Sequence, residues 1–186
     1  MRMVRCFVIT AIAAIFTCLT NGCTTYRSPL SSASTLPQER GYLYGRYTFH
    51  HRHFGVWLGL IVTEQTTKTR HRIRFRTDSG IAVIDVPPGE YAVTHYTLAT
   101  DMGYGLSRNI PYTPSLFGGT FRVEANHMYY IGDYVGSTYL AGMGANAVSF
   151  GSHIDKCSDD YDLTTTEIRS LYKSLNHIPA SSVRNK

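Results

Sequence analysis

FGVWLGLIVTEQTTKTRHRIRFR, residues 54–76, holds two runs that alternate with a period of two. In the first, Phe54, Val56, Leu58, Leu60 and Val62 fall on one side, and Gly55, Trp57, Gly59 and Ile61 on the other. Successive side chains of a strand point to opposite faces, so this run reads as a strand, and apolar residues on both faces make it a central one. In the second run, His71, Ile73 and Phe75 alternate with Arg70, Arg72, Arg74 and Arg76. One face is core and the other is basic.

The rest of the chain fits a small β domain. Its 186 residues are 43% hydrophobic, enough to fill one core without a disulfide framework. Charged residues make up 17%, below the roughly 25% usual in soluble domains, and 14 Tyr with 8 Phe favour pleated structure. Disordered and collagen-like classes are excluded.

Downstream, Asp78-Ser79-Gly80 signals a turn and Ile81 to Val86 a strand that runs into Pro87-Pro88-Gly89. Pro88 presets φ for the first central turn position and Gly89 supplies a positive φ for the second, which predicts a hairpin returning through Glu90 to Leu98. Tyr91, Val93 and His95 would then point inward. Thr120 to Glu124 and Met128 to Tyr134 predict another hairpin through Ala125-Asn126-His127, and Asn146 to Gly151 a last strand. Between them, residues 100–119 carry four Gly and two Pro without periodicity, a length that suits either a functional loop or a disordered one.

The segments Val86-Pro87-Pro88-Gly89-Glu90-Tyr91, Phe121-Arg122-Val123 and Tyr129-Tyr130-Ile131-Gly132 resemble prealbumin-like sandwich modules with a Pro-Gly-x-Tyr hairpin. They also resemble a family of small uncharacterised bacterial lipoproteins that pairs such a hairpin with a later Tyr-Tyr-Ile-Gly strand. The resemblance spans roughly residues 41–154. It implies a single antiparallel β-sandwich of about seven strands and no activity, since modules of this kind serve many roles.

After the sandwich, residues 155–186 carry one clear helix, predicted over about 164–176. Thr164 and Glu167 make a capping box, and Ile168, Leu171, Tyr172 and Leu175 form an apolar stripe that should pack on the sandwich or an edge strand. Pro179 stops the helix, and Ala180 to Lys186 reads as a frayed tail.

At the other end, Arg2 and Arg5 precede an uncharged run from Cys6 to Leu19, too short for a comfortable membrane span, followed by Leu19-Thr20-Asn21-Gly22-Cys23. This start resembles bacterial lipoprotein signals, which implies removal of residues 1–22 and lipidation of Cys23. Cys6 and Cys18 then leave with the signal, and Cys157 is alone in the product. A disulfide between Cys23 and Cys157 is the competing account. Two or three acyl chains would make a stable anchor, where one would be marginal. Thr24 in place of Asp after the cysteine implies the outer membrane, facing the periplasm. Residues 23–40, with Pro29, Pro37 and several Ser, read as a lipidated flexible tether.

Charge is distributed unevenly. Residues 40–76 hold eight Arg or Lys against the single acid Glu64, whereas the remainder is net acidic. Arginines two apart on one strand stand about 6.8 Å from each other and can meet rows of phosphates or carboxylates. Arg70, Arg72, Arg74 and Arg76 are therefore the candidate anionic-surface residues, with an anionic lipid, a glycan or an envelope protein as partner and no nucleic acid. The competing account is a solvated face that protects a sheet edge.

Other constellations are weaker. His50, His51 and His53 lack a third ligand fixed by spacing, so no metal is expected. Asp159, Asp160 and Asp162 suit a helix N-terminus, and their spacing fails the calcium-loop template. Cys157 has no neighbouring base. No nucleophile elbow, zinc-protease motif or phosphate loop occurs, and no catalytic residue or cofactor is expected. The reading is a membrane-anchored, non-enzymatic binding or scaffolding module. A periplasmic small-ligand or metal carrier comes next, and an envelope hydrolase last.

Overall fold

The computed structural model describes residues 24–26, 30–31, 35–50, 56–75, 80–100, 108–111, 119–144 and 147–183. In chain order their strands are β1 (Thr24–Tyr26), β2 (Gly41–His50), β3 (Val56–Glu64), β4 (Arg70–Arg74), β5 (Ile81–Val86) and β6 (Gly89–Thr100). There follow β7 (Arg108–Pro111), β8 (Phe121–Val123), β9 (Met128–Gly144) and β10 (Ala147–Ser158). Helix α1 (Tyr161–Leu171), a 3-10 turn (Lys173–Leu175) and β11 (Ala180–Ser182) close the chain. Among the described residues the protein is mainly β, with two sheets and one α-helix.

One sheet has six strands in the order β1-β4-β3-β6-β7, with β8 also on β6; the other has five in the order β10-β9-β2-β5, with β11 also on β9. This exceeds the seven strands expected. β8 falls within the expected Thr120 to Glu124 strand, whereas β1, β7 and β11, three or four residues long, are too short to show a period. The ten-residue β2 is buried on both faces over its first half and so carries no clear alternation. Nor are the sheets wholly antiparallel: β1 with β4, β2 with β9 and β11 with β9 run parallel.

The expected hairpins are corners between sheets. β5 pairs with β2 in the five-stranded sheet, while β6 pairs with β3 and β8 in the other. Gly89 does not adopt a positive φ; it is already the first residue of β6, facing Val123. Tyr91 closes the corner by donating its hydroxyl to the carbonyl of Pro87 at 2.8 Å. Likewise β8 belongs to one sheet and β9 to the other, so residues 124–127 cross over instead of turning back. A left-handed glycine lies instead at Gly80, φ 63°, where a Cβ would stand 2.6 Å from the carbonyl oxygen of Tyr47.

Between the sheets lies one continuous core. Leu58, Leu60, Val62, Ile73, Phe75 and Tyr91 from the six-stranded sheet meet Leu43, Tyr47, Ile84, Tyr129, Ile131 and Tyr134 from the other. Phe75 joins the two through ring contacts to Tyr134 at 5.9 Å and Tyr47 at 6.4 Å. A second cluster covers the outside of the five-stranded sheet, where Ile168, Leu175 and Ile178 pack on Tyr42, Tyr44, Val83, Met128 and Tyr130. Both faces of β5 are thereby covered, and all six of its residues are buried.

The helix runs three residues earlier than its sequence signals indicate. Asp160 occupies the N-cap position without a side-chain cap bond. Thr164 is no cap; it lies inside α1 and donates its hydroxyl to Asp133. Burying that hydroxyl against a carboxylate wins over capping. Of the expected stripe, Ile168 and Leu175 are buried and Tyr172 packs beside them, but Leu171 is exposed because the helix ends there. The expected tail is also partly ordered: β11 pairs with the start of β9, and Val183 N–H donates to Tyr130.

Parts of the expected tether pack against the domain. β1 pairs with β4 at the sheet edge, Leu30 N–H donates to Val83, and Leu30 and Leu36 join the second cluster. Two leucines in a polar stretch supply apolar area that an unpacked spacer would leave in water.

Candidate functional site

Arg70, Arg72 and Arg74 project from β4 on the outer face of the six-stranded sheet, opposite the buried His71, Ile73 and Phe75. The predicted alternation is present. Arg70 is exposed, and Arg72 and Arg74 are half-buried. Arg76 lies outside the described residues, as do Cys23, His51 and His53.

Register builds this face into rows. Arg72 stands beside Ile61 on β3, which stands beside His95 on β6. Arg74 stands beside Gly59, and Arg70 beside Thr63. At Gly59 the absent side chain leaves space that its neighbours take: a Cβ there would lie 3.1 Å from Cζ3 of Trp57 and 3.6 Å from Cδ of Arg72. The Arg74 guanidinium sits over the Trp57 ring, 4.5 Å from its centroid.

His95 is not inward-facing as the simple alternation predicts. Ile61 pairs with His95 and Val62 with Val93, so Thr94 is an extra residue that reverses the alternation. Tyr96 takes the inward place against the core. His95 is moved to the arginine face, where burial, followed by the nearby charge of Arg70, lowers its pKa. Both effects favour the neutral imidazole, so the arginines dominate the positive charge of the face.

The rows between the arginines are only partly solvated. Ile61 is 4% exposed, and Thr63 and Thr97 are buried. Arg72 Nε and His95 Nδ1 are buried and lack hydrogen-bond partners among the described residues. Arginines flanked by buried neighbours feel less dielectric screening than arginines surrounded by water, which favours contact with anions.

Near β4 the chain places its acids so that they oppose this charge little. Glu64 is buried at the β3–β4 turn. Burial alone would raise its pKa, but hydrogen bonds from Thr67 and Thr66 hold it down to about 2. Its charge is taken up by the turn. Glu90 stands opposite Arg122 in the β6–β8 register.

The other sequence candidates are separate from this face. His50 ends β2 exposed. Asp159, Asp160 and Asp162 surround the start of α1, and Cys157 packs partly against the inner core. Among the described residues no three His, Cys, Asp or Glu side chains are grouped to hold a metal ion. What the sequence does not reveal is the row Arg72–Ile61–His95, since it depends on a bulge and on pairing between distant strands. No protein-family model matches the chain, and no curated protein matches it.

Proposed function

We propose that this chain is a membrane-anchored envelope lipoprotein whose β domain, a sandwich of the prealbumin-like kind, is a non-enzymatic binding or scaffolding module. The observation that carries this reading is the start of the chain: two arginines, an uncharged run and Leu19-Thr20-Asn21-Gly22-Cys23. The arginine face supplies the contact surface. An anchored domain spends its time beside headgroups and envelope polymers rich in phosphate and carboxylate, and guanidinium groups bind both.

Mass spectrometry of the N-terminal peptide, from the full chain expressed in a Gram-negative host, tests the anchor. The expected product begins at Cys23 and carries acyl chains, and Cys23→Ser abolishes both processing at that site and membrane retention. A product with bare Cys23 in the soluble fraction would overturn the reading.

A further inference from the structure

We infer that the lipid anchor is built into the edge of the arginine sheet, so that membrane attachment presses the Arg70 end of β4 against anionic phospholipid headgroups. This rests on the lipidation proposed above and adds what it leaves open: the orientation of the domain and the ligand of its basic face.

The argument starts from register. β1 pairs in parallel with β4, with Thr24 beside Arg70, Thr25 beside His71 and Tyr26 beside Arg72. Cys23 is bonded to Thr24. Consecutive Cα atoms are about 3.8 Å apart and paired strands about 4.8 Å, so the acylated residue lies within about 9 Å of the Arg70 backbone. A free spacer of residues 24–40 would separate anchor and domain by roughly 23 Å on average. Screening decides between these distances, because charges interact through salt over about 8–10 Å. At 9 Å the arginine feels the headgroups; at 23 Å it does not.

Direction follows from the same pairing. β4 leads away from the anchored end, so Arg72 is about 7 Å and Arg74 about 13 Å farther along the strand than Arg70. Exposed Lys68, in the turn before Arg70, adds a cation at the near end. Among the described residues, the acids on the neighbouring strand ends are Glu64, satisfied by its turn, and Glu90, opposite Arg122. An anionic bilayer should therefore attract this corner, with Arg70 contributing most and Arg74 least. Each basic group close to such a surface strengthens contact by about fivefold.

Tryptophan quenching tests this on the full chain. Trp57→Phe removes the only Trp, and Thr66→Trp places a reporter in the exposed β3–β4 turn. The protein is reconstituted in vesicles of phosphatidylcholine, with or without phosphatidylglycerol, containing a headgroup-nitroxide lipid. We expect strong quenching on anionic vesicles and weaker quenching on neutral ones. Arg70→Gln should reduce the anionic signal several-fold, Arg72→Gln less, and Arg74→Gln hardly at all. Thr25→Pro with Tyr26→Pro, which keeps the anchor and every arginine but breaks the β1 pairing, should reduce quenching to the neutral level. In the native chain Trp57, at the Arg74 end of the sheet, should stay unquenched.

A reporter that is unquenched on anionic vesicles while the chain is anchored would overturn the inference. So would equal quenching on both lipids, or equal effects of the three arginine substitutions. If mass spectrometry shows Cys23 bare, the lipoprotein reading has failed. Coupling that thiol to a maleimide phospholipid, in a chain whose other cysteines are Ser, then tests the orientation by the same outcomes.

Discussion

The hydroxyl of Thr164 lies 2.7 Å from Oδ2 and 3.0 Å from Oδ1 of Asp133, tying helix α1 to β9 through a buried polar contact. Burial raises the Asp133 pKa above its ordinary 3.8, while hydrogen bonds from Thr164 and Tyr130 and the charge of Arg46 oppose that rise. Removing the hydroxyl leaves a carboxylate with fewer donors. Thr164→Val should therefore cost about 1–3 kcal/mol, read from urea unfolding at neutral pH. Asp133→Asn keeps one acceptor and removes the charge. A carboxyl whose folded pKa is raised disfavours the fold when ionised, so the penalty is absent below 3.8 and grows as pH rises through the folded value. The stability of Asp133→Asn relative to the native chain should accordingly improve with rising pH. A difference that does not change with pH would contradict this account.

Tyr91 does two things at the corner from β5 to β6. Its ring is fully buried and stacks on Phe121 with 6.3 Å between centroids, and its hydroxyl ties back to Pro87. Tyr91→Phe retains the ring and loses only the tie, for an expected cost of about 1 kcal/mol. Tyr91→Ala removes the ring as well and should cost about 3–5 kcal/mol. Thermal unfolding of the two variants separates the contributions, and equal losses would show that the ring matters little.

These residues also show how much of the fold was legible. Alternation in 54–76 located β3, β4 and the arginine face, because a half-buried strand writes its two faces into the sequence. Ile81 to Val86 is uninterrupted by polar residues except Asp85, the mark of a strand covered on both sides. The Pro-Gly-x-Tyr segment was legible as a corner but not as a crossing between sheets, since local turn chemistry does not specify which strand the return will pair with. His95 was misplaced for a related reason: a single bulge at Thr94 reverses every later side chain. The pairing of Thr24–Tyr26 with β4 leaves no periodic trace in three residues. Thr164 resembled a cap because the sequence does not show the buried Asp133 that takes its hydroxyl.

Glu64 responds to pH with the opposite sign to Asp133. Its folded carboxyl, at about 2, is well below its ordinary 4.5 because the turn donates to it. A group of this kind contributes its full stabilisation above 4.5 and loses it as pH falls toward 2. Glu64→Gln should be less stable than the native chain at neutral pH, and the two should converge as the pH is lowered through that window. Denaturant midpoints measured across it are the check, and parallel curves would show that the turn does not depend on the charge.

Trp57 and Arg74 provide a native optical probe of the basic face. With the guanidinium 4.5 Å from the ring centroid, Arg74→Ala should uncover the indole, shift its emission to the red and increase its quenching by iodide. The stability loss should be about 0.5–1 kcal/mol, the value of an exposed cation–π pair. Gly59→Ala acts on the same pair from below. Its new Cβ would sit 3.1 Å from Trp57 and 3.6 Å from Arg72, so the ring must move outward by a few tenths of an ångström. Because Trp57 is the only tryptophan, both changes read cleanly in one spectrum. Arg72→Lys supplies the contrast: it keeps the aliphatic stem along Gly59 and should leave the emission unchanged. A red shift in that variant as large as in Arg74→Ala would mean that the arginine row is held together as a unit and not by the Trp57 contact alone.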